Sequence, residues 1–358
     1  MPKPKIHVVG CGQVGATMSN YFVNRHFPVS IYDTKKNAKY AQVPWGWMRR
    51  MSLQQMERLQ LPLCPLDLPQ NHISQGPMVI STSSELRSEK WKQWLRTVHT
   101  DARLLTEKEA QDFEIHEKYN LLCDSHDYLF DFNQYKSELI RTLQSQTEWI
   151  DKSSAKRFVW KNNFIQGILL ENGQYHSIED EAQVLLCVGN QTKHFLPVPV
   201  AGISLQYRVV PKDAIPPKPY IAHWTDNRSI QYFNNYVKLG CGMNGTLTSL
   251  PPMKFWSNFF HFLWKQNYSW QNATTAVREH WRLDHDSFES CQVDITPDFL
   301  PIVQPIGKNL TVVCGLSGSG FTVYEPWFQE HVKNVILREI SENRFRIDRK
   351  FEATSFLY

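Results

Sequence analysis

The sequence predicts an α/β protein in which a parallel sheet with helices is interleaved with an α+β unit built on an antiparallel sheet. Three observations lead there. Near the N-terminus, Ile6 to Val9 is a short apolar strand that enters the turn Gly10-Cys11-Gly12-Gln13-Val14-Gly15 and then a helix. In the middle of the chain, Val184-Leu185-Leu186-Cys187-Val188 is a continuous apolar run that stops at Gly189, the pattern of a buried parallel strand whose end faces a ligand. Between 205 and 241, short runs rich in aromatic and β-branched residues follow one another, as in a mainly antiparallel sheet.

Each position of the first unit has a physical task. Gly10 permits the tight turn, Gly12 lets the backbone approach a pyrophosphate, and Gly15 lets helix and strand pack closely. Gln13 and Val14 lead into the helix, whose first N–H groups suit a phosphate. The helix runs from Ala16 to Arg25, and a second strand from Pro28 to Tyr32 ends at Asp33. From Gly10 to Asp33 the spacing matches the roughly 20 residues between a glycine fingerprint and a ribose-binding acid in a βαβ unit. The plainer alternative is a glycine turn packing a helix on a sheet, with Asp33 a solvated strand end.

After this unit, Val43 to Arg50 is an aromatic, glycine-containing loop that carries Trp45 and Trp47, and Leu53 to Leu59 reads as helix. Pro62, Pro65 and Pro69 break the chain before the apolar stretch Met78 to Ser81. Trp91, Trp94, Leu95 and Val98 suggest an amphipathic helix, and a second helix starts at Thr106-Glu107-Lys108-Glu109 with capping-box spacing. Asp131 to Leu143 is helical, and Phe158 to Glu171 with Tyr175 to Ile178 forms a hairpin about Asn172-Gly173. The antiparallel unit takes Leu205 to Pro211, Tyr220 to Trp224, Ser229 to Phe233 and Tyr236 to Cys241. The aromatic segment from Phe255 to Trp264 lacks a basic stripe on its polar face, which favours core packing over a membrane surface. Finally, a strand from Leu310 to Cys314 enters a turn with Gly315, Gly318, Ser319 and Gly320, followed by a helix from about Glu325.

Composition removes several classes of function. The 358 residues suit two intimately joined domains, and a net charge of +4 spread without a basic patch argues against nucleic acid. Seven cysteines stand singly with no C-x-x-C pair, which fits a reducing, cytoplasmic setting rather than a disulfide framework. No run approaches the ~18 apolar residues of a membrane span. His280 and His285 do not form a His-Glu-x-x-His set, so no metal site is expected. Ser319 occupies the place of the last glycine in G-x-S-x-G, so the closing turn is not a hydrolase elbow. Its backbone amides instead suit a flat cofactor or its phosphates.

The glycine fingerprint, Gly46-Trp47-Met48-Arg49, Leu104 to Glu109, the strand ending at Gly189, Thr296-Pro297-Asp298 and Gly315 to Phe321 occur in one order over nearly the whole chain. In that order the sequence resembles the flavin-dependent amino-acid and amine oxidases of the D-amino-acid oxidase superfamily, especially the monomeric sarcosine oxidase and N-methyltryptophan oxidase branch. The resemblance implies a Rossmann-like FAD-binding domain and a substrate domain interleaved as 1–72, 73–130, 131–205, 206–290 and 291–358, with FAD segments first, third and last. It also implies FAD held by Gly10, Gly12, Gln13, Val14, Gly15, Asp33, Gly189, Gly315, Gly318, Ser319, Gly320, Phe321 and Thr322. In that branch a cysteine five residues before the T-P-D triplet carries the flavin through a thioether, and Cys291 has that spacing. Arg49 matches the arginine placed beside the flavin ring, and Trp45, Trp47 and Tyr232 become candidate pocket residues.

Several positions depart from the branch. Thr322 stands where a carboxylate-binding lysine is usual, Ser52 where a second arginine is, and Ser319 where a histidine is. The oxygen-activating lysine, sought in Cys241 to Ser249, has no evident counterpart there. The expected activity is oxidation of a C–N bond in an amine or a modified amino acid, aromatic or N-alkyl, by hydride transfer to FAD. Two alternatives stay open on the sequence: a nicotinamide-dependent dehydrogenase, and a flavoprotein that serves a protein partner without turning over small molecules.

Overall fold

The computed structural model describes residues 2–34, 70–85, 88–89, 92, 103–123, 128–150, 153–225, 229–240, 246–257, 289–298, 300–316, 323–340 and 342–349. The α-helices among them are α1 (Gln13–Asn24), α2 (Glu107–Asp112), α3 (Phe132–Gln146), α4 (Thr192–Phe195) and α5 (Pro326–Ile336).

A six-stranded sheet has the order Ile302–Ile306, Leu310–Cys314, Gln183–Leu186, Ile6–Val9, Val29–Tyr32, Glu148–Ile150. Its pairings are parallel except for the edge strand Ile302–Ile306. Residues alternate between two cores because successive side chains of a strand point to opposite faces. Ile6, Val8, Ile31 and Val313 pack with Phe22 of α1, Leu139 and Leu143 of α3, and Phe328 and Val332 of α5. Val9, Tyr32, Val184 and Val312 pack on the other face against Phe158, Ile165 and Ile168. Each fully buried side chain of this kind contributes roughly 1.5–3 kcal/mol.

The second core is covered by three antiparallel strands, Ala155–Lys161, Phe164–Leu170 and Tyr175–Ser177. The sequence suggests one long arm where there are two. The chain doubles back at Asn162 and Asn163, with φ of 50° and 63°, so that Lys161 pairs with Phe164. Asparagine tolerates this left-handed conformation better than most residues, so an Asn-Asn pair can form the turn.

The larger sheet is antiparallel apart from one parallel pair, Ala222–Trp224 with Met78–Thr82. Its order is Thr246–Ser249, Ala201–Pro211, Tyr236–Gly240, Ser229–Tyr232, Ala222–Trp224, Met78–Thr82, Tyr119–Cys123, Arg103–Leu104. Glu289–Ile295 also pairs with Ala201–Pro211. Ile73–Gln75 pairs with Tyr128–Phe130, which brings the expected 72/73 and 130/131 borders side by side. The other two borders fall inside strands: Ala201 to Tyr207 pair continuously with Ile295 to Glu289. The antiparallel sheet therefore includes 201–205 and 291–295, because a ladder unbroken across a border ties both sides to one sheet.

Helix ends follow local chemistry. At α2, Thr106 accepts from Glu109 N while Glu109 reaches back to Thr106 N, the reciprocal bonds that the T-x-x-E spacing predicts. Asp131 caps α3 by accepting from Gln134 N at 3.1 Å. Among the described residues no helix is long and apolar enough to cross a membrane.

Candidate functional site

The carboxyl ends of four adjacent parallel strands carry Gly315, Gly189, Gly10 and Asp33, the place where open α/β sheets bind ligands. Gly10 and Gly15 cannot be replaced without collision. A Cβ on Gly10 (φ +93°) would lie 2.7 Å from Val188 Cγ1, and one on Gly15 1.9 Å from Gly10 O. Gly12 is the N-cap of α1, with no side-chain cap and no acidic residue in the first turn, which Gln13 and Val14 begin. The first N–H groups of α1 thus meet no competing side-chain acceptor at the cap, as a bound pyrophosphate requires.

Asp33 is fixed on three sides. Its Oδ2 accepts the Cys11 N–H, its own N–H donates to Ile150 O at 3.3 Å, and its carbonyl accepts Trp149 Nε1 at 3.2 Å. Burial raises its pKa, against the Cys11 N–H and the positive charge of Lys136. The glycine cradle, the open helix end and the fixed acid fit the adenosine diphosphate half of FAD.

The closing strand connects this cradle to the antiparallel sheet. Within Glu289–Ile295, Cys291 pairs with Leu205 and Asp294 with Gly202. Asp294 Oδ2 accepts the Gly315 N–H, and a Cβ on Gly189 would lie 4.0 Å from the same oxygen. Burial raises the Asp294 pKa, opposed by the Gly315 N–H. Gly315 (φ +68°) is enclosed by Thr296, whose Cγ2 would lie 2.3 Å from an added Cβ. Thr296 Oγ1 donates to Leu300 O at 2.8 Å, and buried Asp298 is held by Arg349 through bonds of 2.9 and 2.8 Å. The T-P-D triplet thus shapes the turn next to Gly315.

On the sheet face that carries the 291 register position, Lys238 is 5% exposed and its Nζ lies 4.4 Å from the Tyr207 ring centroid. Gln231, also buried, pairs with Lys238. Tyr232 faces the other way. It packs with Val79, Val237 and Leu239, and its hydroxyl donates to Pro216 O at 3.0 Å. The structure therefore does not bring Tyr232 to the face of Lys238.

Trp45, Trp47, Arg49, Gly318, Ser319, Gly320, Phe321 and Thr322 lie outside the described residues, as does the side chain of Cys291. Cys11, Cys187 and Cys314 are buried thiols, and burial raises all three pKa values, that of Cys11 to about 12. Such thiols stay protonated and inert. Sequence reasoning missed Asp294, Lys136 and Lys238. A lysine inside an otherwise apolar strand or helix stripe was the available signal for the latter two.

Residues 6–324 match the family described as DAO: FAD dependent oxidoreductase. The chain belongs to this family. It is thus an FAD-dependent oxidoreductase of the D-amino-acid oxidase superfamily, and neither alternative reading is favoured. No curated protein matches. Among solved structures it is similar to an L-amino acid deaminase from Proteus myxofaciens in complex with anthranilate (11% identity, TM-score 0.69, 95% of this chain and 91% of that one). It is similar also to a thermally stable mutant of fructosyl peptide oxidase (13%, 0.70, 98% and 94%). A third similar structure is glycine oxidase from Bacillus cereus ATCC 14579 (12%, 0.67, 97% and 99%). At these identities the likeness concerns the fold.

Proposed function

We propose that the enzyme oxidises a C–N bond of an amine or a modified amino acid, with aromatic or N-alkyl substrates favoured, and that it stands nearest the sarcosine oxidase and N-methyltryptophan oxidase branch. The observation that carries this reading is the Asp294–Gly315 bond, which couples the nucleotide cradle to the antiparallel sheet, whose opposite face bears a buried lysine and tyrosine. Bound FAD supplies the chemistry by accepting a hydride from the carbon beside the nitrogen, leaving an imine that water hydrolyses. The chain binds, orients and excludes water. Gly10, Gly12, Gln13, Val14 and Gly15 hold the pyrophosphate, Asp33 the ribose, and Gly189 with Gly315 the approach of the cofactor.

In this reading Arg49 places positive charge beside the ring, Cys291 forms the thioether, and 318–322 completes the closing turn. Trp45 and Trp47 line the pocket. Lys238 takes the part of the oxygen-activating lysine, a buried cation at the Cys291 face rather than in the stretch that follows its strand. The likeness to enzymes acting on amino acids, an amino-acid deaminase and a glycine oxidase, supports an amine-bearing small molecule.

Anaerobic mixing with N-methyl, cyclic and aromatic amino acids and with amines tests the reaction through bleaching of the flavin. Bleaching by an aromatic or N-alkyl substrate is expected. Fastest reduction by sarcosine would favour a small N-alkyl substrate and count against an aromatic one, and no bleaching by any amine would count against the reaction. Acid precipitation tests Cys291: yellow colour in the pellet is expected, and colour released to the supernatant would remove the thioether.

A further inference from the structure

The apolar stripe of α3 contains one misfit. Phe132, Tyr135, Leu139, Ile140 and Leu143 all pack into the core shared with α1, at the spacing of a helix face turned inward. Lys136 belongs to the same stripe and is only 6% exposed. An apolar residue would occupy that position without the desolvation that a buried ammonium suffers. A charge retained at a core position marks a place where local packing yields to function.

The stripe packs into the core that also holds Cys11, whose N–H binds Asp33, and Lys136 interacts electrostatically with both residues. The Cys11 thiol is protonated, so the carboxylate of Asp33 is the anion that Lys136 meets. Lys136 and Asp33 interact through charge, while Asp33 Oδ2 accepts the Cys11 N–H. Among the described residues no other hydrogen bond reaches this carboxylate, so Oδ1 can accept a ribose hydroxyl, a place that a direct lysine bond would occupy. We propose that Lys136 is a positioning residue of the nucleotide subsite, whose buried ammonium keeps the Asp33 carboxylate charged and aimed at the ribose of FAD. The proposal rests on Asp33 being the ribose-binding acid.

The test is binding of ADP, which lacks the ring and so cannot be trapped by Cys291, to flavin-free full-length chain by titration calorimetry, with FAD binding to the same chain in a Cys291→Ser background, followed by quenching of flavin fluorescence, as a second probe. Lys136→Met is expected to weaken both ligands about tenfold or more, and Lys136→Arg to recover most of that loss. In an Asp33→Asn background, Lys136→Met should add less than about a twofold loss, since a residue acting through Asp33 is not additive with it. Flavin-free Lys136→Met should melt no lower than wild type, because methionine suits the stripe. Unchanged binding, an equal loss in the Asp33→Asn background, or a lower melting temperature of the flavin-free variant would each overturn the proposal. An equal loss would assign the lysine to the pyrophosphate directly. Wild-type chain that binds neither ligand would instead bring down the reading of Asp33 and the cradle.

Discussion

Asp294 and Gly315 are joined by a hydrogen bond from the glycine N–H to the carboxylate, and that bond ties the antiparallel sheet to the carboxyl end of the parallel-sheet strand Leu310–Cys314. Asp294 reaches it from a strand paired along its whole length with Ala201–Tyr207, so its position is set by the ladder rather than by the turn. Gly315 in turn has no room for a side chain beside Thr296.

Replacing Asp294 by alanine removes the acceptor that its carboxylate offers the Gly315 N–H and is expected to cost about 1–3 kcal/mol of stability. Flavin retention should fall with it, whereas Asp294→Asn keeps an acceptor and loses less. Melting temperature and flavin content after gel filtration read the two effects. The pH dependence has a definite sign. Folded Asp294 holds its proton to higher pH than the unfolded chain does, so its contribution to stability declines as pH rises from 3.8 towards the raised value. The difference in melting temperature between wild type and Asp294→Asn should follow that decline and then level off.

Lys238 offers a prediction about the second half of turnover. If the buried ammonium serves oxygen, Lys238→Met should slow reoxidation of reduced enzyme by roughly 10- to 100-fold while anaerobic reduction changes little, the scale of a lost charge-assisted contact. Stopped-flow measurement of the two half-reactions separates them. Slowing confined to reduction would place Lys238 with the substrate instead.

His7 predicts an opposite slope on the acid side of neutrality. It is buried between Glu179, at 2.7 Å from Nε2, and the Tyr32 hydroxyl, at 3.1 Å from Nδ1. Burial lowers its pKa in spite of Glu179. Burial would raise the Glu179 carboxyl, but a backbone N–H, His7 and Lys5 together bring it to about 2. We take His7 as neutral near pH 7, because its ring is buried whereas Glu179 is largely exposed. The unfolded chain then takes up a proton as pH falls through 6.5, and the folded chain does so only below that. Stability should be lost over this window, and His7→Gln should flatten that part of the melting curve against pH.

Much of this architecture was legible because it depends on short-range pattern. The strand, glycine turn and helix around Gly10–Gly15, the Thr106–Glu109 capping box and the buried run before Gly189 each announce themselves within a few residues. The Asn162-Asn163 turn was not read, since an apolar run on both sides masked two polar residues that reverse the chain. Tyr232 shows a different limit. Alternation tells that its side chain and that of Gln231 point to opposite faces, but not which of the two shares a face with Lys238; that depends on register with strands far away in sequence. Lys136 and Lys238 were hidden for the same reason, because the partner that makes a buried charge meaningful comes from another element.

The pair Asp298–Arg349 yields the sharpest stability prediction. Arg349 binds both carboxylate oxygens of Asp298 and also donates to Leu300 O and Arg346 O, so one guanidinium gathers the T-P-D turn and the segment 342–349. The carboxylate side chain is 2% exposed and that of Arg349 11%. Removing one partner of such a pair leaves a buried charge, so Arg349→Met is expected to cost about 3–5 kcal/mol. Arg349→Lys should recover little, because an ammonium cannot reproduce the two parallel bonds. The double variant Asp298→Asn, Arg349→Met should be more stable than Arg349→Met alone, since the charge is gone as well. Chemical denaturation of the three variants measures this, and equal stability of the single and double variants would mean that the segment is held by other contacts.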